Sequence, residues 1–306
     1  MSRLTPRPAR ALSTALLAGV LVVLGLVVPD SSVRPTDLTL VDVRSADTAT
    51  VDQGVVWILA VGSDARPGEE MLRSRGDALQ LIGLNARTGA ATAIGIPRDS
   101  YVAVPGFGSD KINAALSLGG PDLLARTVEG LVGIAPDYVF VTRFKAFEAM
   151  VEAIGPITVA NPRAFSDPNL KDDGFRAGRI RLGGYDAMAF SRIRYGLPGG
   201  DFDRSANQQR TLRGIQARLA QRVSQRGFME SGVLSALDNM STDGVSPAEL
   251  FRLAHAVARL RPGRMTTCVL RGAIGTAGGA SIVRPDVAQA RRLGAAARRD
   301  ATLGSC

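Results

Sequence analysis

Carboxylates and arginines recur together in this chain at the ends of apolar runs. Gly62-Ser-Asp64-Ala-Arg66 follows the run Val55–Val61, and Asp77 comes 13 residues after Asp64, within Arg73-Ser-Arg75-Gly-Asp77. In α/β sheets, ligand-binding groups collect at strand ends. Two carboxylates converging there would hold Mg²⁺, which takes one or two carboxylates, several waters and phosphate oxygens. The alternative is a pair of turn or capping aspartates, and spacing alone favours it. Pro97-Arg98-Asp99 closes another apolar run. Ser109-Asp-Lys111-Ile-Asn113 sets a Lys and an Asn at an expected helix start, where free backbone N–H groups also favour anions. Arg192-Ile-Arg194 precedes a glycine-rich stretch. Asp201-Phe-Asp203-Arg204 opens a helical run in which Arg204 and Gln208 share a face. Guanidinium forks suit bidentate phosphate binding, and several together suit a pyrophosphate. Each piece alone also reads as solvated surface charge.

Scarcity excludes other chemistries. His255 is the single histidine, and Cys268 and Cys306 are the two cysteines. That supply cannot build a structural zinc site. A Ser-His-Asp triad would depend on His255, which sits in the amphipathic stretch Phe251–Leu260 and reads as a packed or surface residue. Any catalysis must therefore run on carboxylates and arginines, with or without a hard metal ion. The 306 residues include 37 Lys and Arg against 28 Asp and Glu, a net charge of +9 that calls for anionic partners. The lysines are Lys111, Lys145 and Lys171; all other basic residues are Arg, a bias that partly reflects genomic base composition. An apolar content of 45% with 21% charged residues is that of a globular protein.

The elements that must position these groups begin at an unusual N-terminus. Arg3, Arg7 and Arg10 precede the uncharged run Ala11–Val28. Eighteen residues rise about 27 Å as a helix, enough for a bilayer core of about 30 Å. The arginines predict a cytoplasmic N-terminus and an extracytoplasmic main domain, in a single-pass protein of the cell membrane. A cleaved signal peptide is the alternative, but Val27-Val-Pro-Asp30 makes a poor cleavage site. In an oxidising space two thiols pair, so a Cys268–Cys306 disulfide is expected to tie down the C-terminal tail. Nucleic acid is not an expected partner: an exported domain does not meet chromosomal DNA, 5% of residues are aromatic, and no helix-turn-helix pattern stands out.

The expected organisation is a basic N-terminus (1–10), a transmembrane anchor (11–28), an extracytoplasmic stalk (29–54) and a catalytic domain (55–306). One early strand is expected in the stalk, at Leu38–Val43. Further strands are expected at Val55–Val61, Ala78–Leu84, Ala90–Ile96, Tyr138–Thr142, Ile157–Ala160, Arg179–Leu182 and Met265–Leu270. The turn Asn85–Gly89 makes the second and third of these a hairpin. Helices are expected at Pro121–Val132, Phe144–Ile154, Tyr185–Arg192, Arg204–Arg226, Ser246–Leu260 and Pro285–Arg299. Asn161–Phe175, rich in Pro, Asp and Asn, reads as a loop. This alternation predicts an α/β fold, a three-layer αβα sandwich with a mixed central sheet.

In this order the motifs resemble those of the LytR-CpsA-Psr family. They stand at Gly62–Arg66, Arg75–Asp77, Pro97–Asp99, Lys111–Ala115, Gly119-Gly120, Arg192–Arg194 and Asp201–Gln209, so the likeness spans about Val55 to Arg218. The resemblance implies a phosphotransferase that takes a glycopolymer from a polyprenyl-pyrophosphate lipid and attaches it to peptidoglycan through a phosphodiester. It implies that Asp64 and Asp77 hold Mg²⁺, or Mn²⁺ in its place. By the same resemblance Arg75, Arg98, Arg192, Arg194 and Arg204, with Gln208, grip the pyrophosphate, and the lipid tail fills an apolar tunnel. Lys111, in the Lys-Ile-Asn motif, joins that anionic subsite. Asp64 and Arg98 are the candidates for catalysis, with Asp99 and Asp201 as further choices of general base. Gly76 departs from the family pattern, where Ser or Thr is usual. So does Asn207, where an Arg usually precedes Gln-Gln. The loss of that charge leaves a non-catalytic binder of polyprenyl lipid or wall polymer as the second reading, and a lipid pyrophosphatase as a third. Teichoic acid, capsular polysaccharide and arabinogalactan would all present the same pyrophosphate.

Overall fold

The computed structural model describes residues 37–43, 54–228 and 240–306. The expected basic N-terminus, anchor and most of the stalk lie outside the described residues. Among the described residues, no helix is long and apolar enough to cross a membrane.

Strands β1 (Leu38–Asp42), β2 (Val55–Ser63), β3 (Gly76–Asn85) and β4 (Ala90–Gly95) come first. A hairpin of β5 (Tyr101–Val104) and β6 (Gly108–Lys111) leads into helix α1 (Ala114–Val132). Strand β7 (Tyr138–Arg143) runs directly into α2 (Phe144–Ile154). Short strands β8 (Ile157–Asn161), β9 (Phe165–Asp167), β10 (Lys171–Phe175) and β11 (Gly178–Leu182) follow. Next come α3 (Gly184–Arg192) and the long α4 (Asp201–Arg222). The last elements are β12 (Ser241–Asp243), α5 (Pro247–Ala258), β13 (Met265–Val269), the hairpin of β14 (Gly272–Ala277) and β15 (Ala280–Pro285), and α6 (Val287–Ala297).

Seven strands form one sheet in the order β12-β1-β7-β2-β3-β4-β13. It is mixed: β2 pairs with β7 in parallel and with β3 antiparallel, and β4 pairs with β13 in parallel. The period-2 alternation of side chains splits each strand between two faces. From β2, Trp57, Leu59 and Val61 join Leu79, Leu81, Val139 and Val141 in a core packed against α1 and α6. Each fully buried aliphatic side chain there contributes about 1.5–3 kcal/mol. On the other face, Leu40, Val56 and Tyr138 meet Leu250, Leu253 and Ala256 of α5. Helices on both faces make the three layers.

Several features differ from the sequence reading, which expected neither strand β12 nor the hairpins β5–β6 and β14–β15. Leu38–Asp42 is buried in the sheet between β12 and β7, so the sheet starts there and not at Val55. The segment Asn161–Phe175 holds the antiparallel pair β9–β10, because Phe165 and Phe175 turn inward and stack on Phe190. Helix α1 starts before Pro121, at Ala114, and breaks at Gly120, whose φ of 74° is open to glycine and strained for other residues. The last segment supplies α5 and β13, and a disulfide joins Cys268 of β13 to Cys306, with Cα atoms 5.2 Å apart.

Candidate active site

The antiparallel pairing of β2 and β3 brings the two carboxylates together. Its register matches Gly62 with Ala78 and, past a bulge, Ser63 with Gly76. Asp64 therefore emerges beside Asp77 although a 12-residue loop separates them in sequence. The backbone N–H of Asp64 donates to the Arg75 carbonyl at 3.0 Å, and Asp64 Oδ1 accepts the Arg75 N–H at 3.1 Å. This exchange fixes one edge of the carboxylate.

Arg98 stands just past β4, held there by Pro97, and its guanidinium pairs with Asp77. Its Nε lies 3.9 Å from Asp99 Oδ2, and its backbone N–H donates to Asp201 Oδ2 at 3.2 Å. Asp99 also binds Lys111, with Nζ 2.8 Å from Oδ1. Lys111 ends β6 and lies outside the helix that the sequence led one to expect there. Arg204, only 5% exposed, pairs with Asp201 one turn earlier in α4. Arg192 ends α3 and stacks its guanidinium on Phe144, 3.8 Å from the ring centroid, a cation–π contact that pins the group while leaving its charge. Arg194 and Arg75 are exposed at the rim, Arg194 lying 5.6 Å from the Tyr195 ring centroid. His255 is exposed on α5, away from this cluster of charges.

Between the second face of the sheet and the helices lies a cavity of about 410 Å³. Asp77, Arg192, Arg204 and Gln208 line it at the charged end, and Ile58, Phe140, Leu212, Leu253, Val257 and Met265 line the apolar interior. Four residues were given no role by the sequence reading. Gln80, buried in the middle of apolar β3, bonds Gln208 and Ser205, while Gln209 of α4 donates to the carbonyls of Ala93 and Cys268. The signal for Gln80 was one amide in the run Ala-Leu-Gln-Leu-Ile. A β-carbon at Gly95 would fall 2.5 Å from Ser205 Oγ and 2.9 Å from Gln209 Nε2, so only glycine leaves this network room. Arg143 is the fourth. Asn207 is not among the cavity-lining residues; it is buried and its Oδ1 accepts from Arg210 at 2.7 Å.

The charges perturb one another. Burial and the neighbouring Asp77 raise the pKa of Asp64. Burial raises that of Asp201 as well, with Arg204 opposing it. Burial lowers the pKa of Arg204, again opposed by the ion pair with Asp201. At Arg98 burial is outweighed by Asp77, Asp99 and Asp201, which push its pKa up. The mouth thus gathers several cations, of which Arg98, Lys111 and Arg204 are paired with carboxylates. Two carboxylates that disfavour each other's charge fit a divalent cation. Among the described residues no group of three or more His, Cys, Asp or Glu could hold a metal. A cation at Asp64 and Asp77 would complete its shell with water and ligand oxygens, as Mg²⁺ and Mn²⁺ do.

Comparison with known proteins places the chain in a family. A family model, the LytR_cpsA_psr family, matches residues 33–298. A Bacillus anthracis protein named polyisoprenyl-teichoic acid–peptidoglycan teichoic acid transferase TagU is 34% identical over 199 residues. The alignment covers 64% of this chain and 62% of that relative, so the chain spans less than two thirds of its length. Crystalline TagU of B. subtilis shares the fold, with a TM-score of 0.59 at 23% identity, over 83% of this chain and all of that one. The LytR-CPS2A-psr family protein YwtF (TagT), solved with bound octaprenyl pyrophosphate lipid, gives a TM-score of 0.60 at 23% identity, over 82% and 93% of the two chains. With the family match running from before β1 to the end of α6, and the same fold in the solved relatives, the chain belongs to the LytR_cpsA_psr family.

Proposed function

We propose that this chain is a membrane-anchored, extracytoplasmic phosphotransferase that moves a glycopolymer from a polyprenyl-pyrophosphate carrier to peptidoglycan, with Mg²⁺ or Mn²⁺ at Asp64 and Asp77. One observation carries the reading: a deep apolar cavity that ends in Arg192, Arg204 and Gln208 beside Asp77. That shape suits an amphiphile with a long hydrocarbon tail and an anionic head. The name of the B. anthracis relative and the lipid held by YwtF support it. The run Ala11–Val28 behind three arginines supports an anchor with the domain outside, where a carrier lipid and peptidoglycan meet.

The chemistry follows from the residues. Arg192, Arg204 and Gln208 hold the pyrophosphate at the mouth, and Arg98 bridges from Asp77 toward it, displacing carboxylate contacts for phosphate ones. A sugar hydroxyl of peptidoglycan attacks the polymer-side phosphorus. The bond to the bridging oxygen breaks, lipid monophosphate leaves, and the hydroxyl proton passes to a carboxylate of the cluster, Asp64, Asp99 or Asp201. Such a transfer depends on positioning and charge neutralisation more than on covalent help. The metal, when bound, would neutralise phosphate charge. The arginines disperse the charge developing on the leaving phosphate.

The test is incubation of the full chain in detergent with Mg²⁺, a synthetic polyprenyl-pyrophosphoryl sugar and uncrosslinked peptidoglycan. Mass spectrometry should find a phosphodiester-linked sugar that is lost with chelator and in Asp77→Ala. Phosphate release without a peptidoglycan product would identify a lipid pyrophosphatase instead. Tight lipid binding with neither product, across several donor sugars, would identify a binder.

A further inference from the structure

Arg143 closes β7 opposite Ser63 of β2, and its side chain is 12% exposed. It reaches across the loop that carries Asp64. Nη1 donates to the carbonyls of Ala65 at 2.9 Å and Arg66 at 2.8 Å, and Nη2 donates to the carbonyl of Glu69. The remaining nitrogen, Nε, lies 3.0 Å from Asp37 Oδ1. Every nitrogen of the guanidinium is therefore engaged, three contacts going to one loop. Carbonyls that converge in this way oppose one another as dipoles, and a planar cation with donors on several edges holds them together. A lysine keeps the charge but not the fork.

The loop has other ties. At its crown Glu69 closes a turn on Arg66, its N–H donating to the Arg66 carbonyl at 3.0 Å and its Oε2 accepting the Arg66 N–H at 2.9 Å, and Arg143 adds the bonds that join this turn to β7. Ser63 Oγ donates to the Met71 carbonyl at 3.2 Å and meets Ser74 Oγ at 2.5 Å, while Asp64 exchanges two bonds with Arg75. Those ties close the base of the loop, and Arg143 gathers its crown. Arg143 lies outside the cavity lining and outside the charged motifs.

We propose that Arg143 is a positioning residue for the divalent-metal site, gathering the Ala65, Arg66 and Glu69 carbonyls so that Asp64 is presented toward Asp77. The inference rests on the reading of Asp64 and Asp77 as the metal-holding pair. It also makes Asp37, at the start of the described domain, a support for the clamp.

The experiment measures Mn²⁺ binding to the full chain in detergent by the loss of the free-ion electron paramagnetic resonance signal, without lipid. Arg143→Ala should weaken binding by about 10–100-fold, the range for outer-shell partners of metal ligands. Arg143→Lys should fall between that variant and wild type, and Asp37→Asn should give a smaller loss. Free guanidinium ion at sub-denaturing concentration should restore binding to Arg143→Ala, a rescue that a general loss of stability would not show. If Arg143→Ala does not fold, the Lys variant carries the comparison. Wild-type binding in the Arg143 variants, with Asp64→Asn binding lost, overturns this inference and leaves the metal reading intact. Unchanged binding in Asp64→Asn overturns both.

Discussion

Gln80 on β3 donates Nε2 to Gln208 Oε1 on α4 at 3.0 Å, joining the floor of the cavity to the helix that carries its charged end. The same nitrogen lies 3.2 Å from Ser205 Oγ. Because Oε1 of Gln208 is taken, its own Nε2 donates to the Ser191 carbonyl at 3.3 Å, and the amide is held in one orientation. A cavity-lining amide is thus oriented by a residue from the sheet below it.

Gln80→Leu keeps the volume and removes both bonds, leaving a buried acceptor on Gln208. The cost should be about 1–3 kcal/mol in urea unfolding. The KM for the lipid donor should rise as the Gln208 amide loses its orientation. An unchanged unfolding midpoint together with an unchanged KM would rule out the role assigned to this pair.

Arg98 is the hub between Asp77, Asp99 and Asp201. Arg98→Ala should retain its far-ultraviolet circular dichroism and lose transfer by about 100-fold or more, the scale for removing one preorganised group that stabilises transition-state charge. Near-normal transfer in a folded Arg98→Ala protein would overturn the assignment.

Asp64 gives a signed pH dependence. Burial and Asp77 raise its pKa in the folded protein, so folded molecules bind more protons than unfolded ones across the interval between the ordinary and raised values. Stability of the metal-free protein therefore declines as pH rises through that interval and levels off above it. Asp201 acts in the same sense. In a thermal-unfolding series from about pH 4 upward, Asp64→Asn should flatten the decline slightly, since Asp64 is only partly withdrawn from solvent. Added Mg²⁺ should raise the Tm of wild type more at neutral than at acid pH, because the metal needs ionised carboxylates. The variant should show little of that gain, and an equal gain in both would remove Asp64 from the metal site.

The disulfide closes a loop of 38 residues. In the chain-entropy model its loss costs about 3–4 kcal/mol. Cys306→Ser, or reduction of the wild type, should lower the urea midpoint accordingly. Because Cys268 is buried in the core and Cys306 is exposed, the Cys306 change is the cleaner of the two substitutions. A midpoint that does not move would show that the tail is held by packing alone.

Much of this was legible in one dimension. The unbroken apolar run Val55–Val61 marks a strand buried on both faces, Asn85–Gly89 marks the β3–β4 turn, and two cysteines leave a single pairing. These are local or combinatorial facts, and periodicity reports them. The order of the charged motifs identified the family because their types and sequence are unusual together.

Convergence could not be read that way. Arg98 and Asp201 meet across 103 positions, and Gln80 and Gln208 across 128. Leu38–Asp42 looked like part of a stalk because its partners, β7 and β12, lie far along the chain. The phenylalanines of β9 and β10 announced themselves only once Phe190 lay beneath them. Nothing in the sequence singles out Arg143, onto which the fold brings three carbonyls. Side-chain type and local period were enough to name the groups available for chemistry and most of the strands and helices. Which groups face one another, where the short strands pair and where the cavity lies came from the fold, because sheet register and helix packing are set by contacts between distant segments.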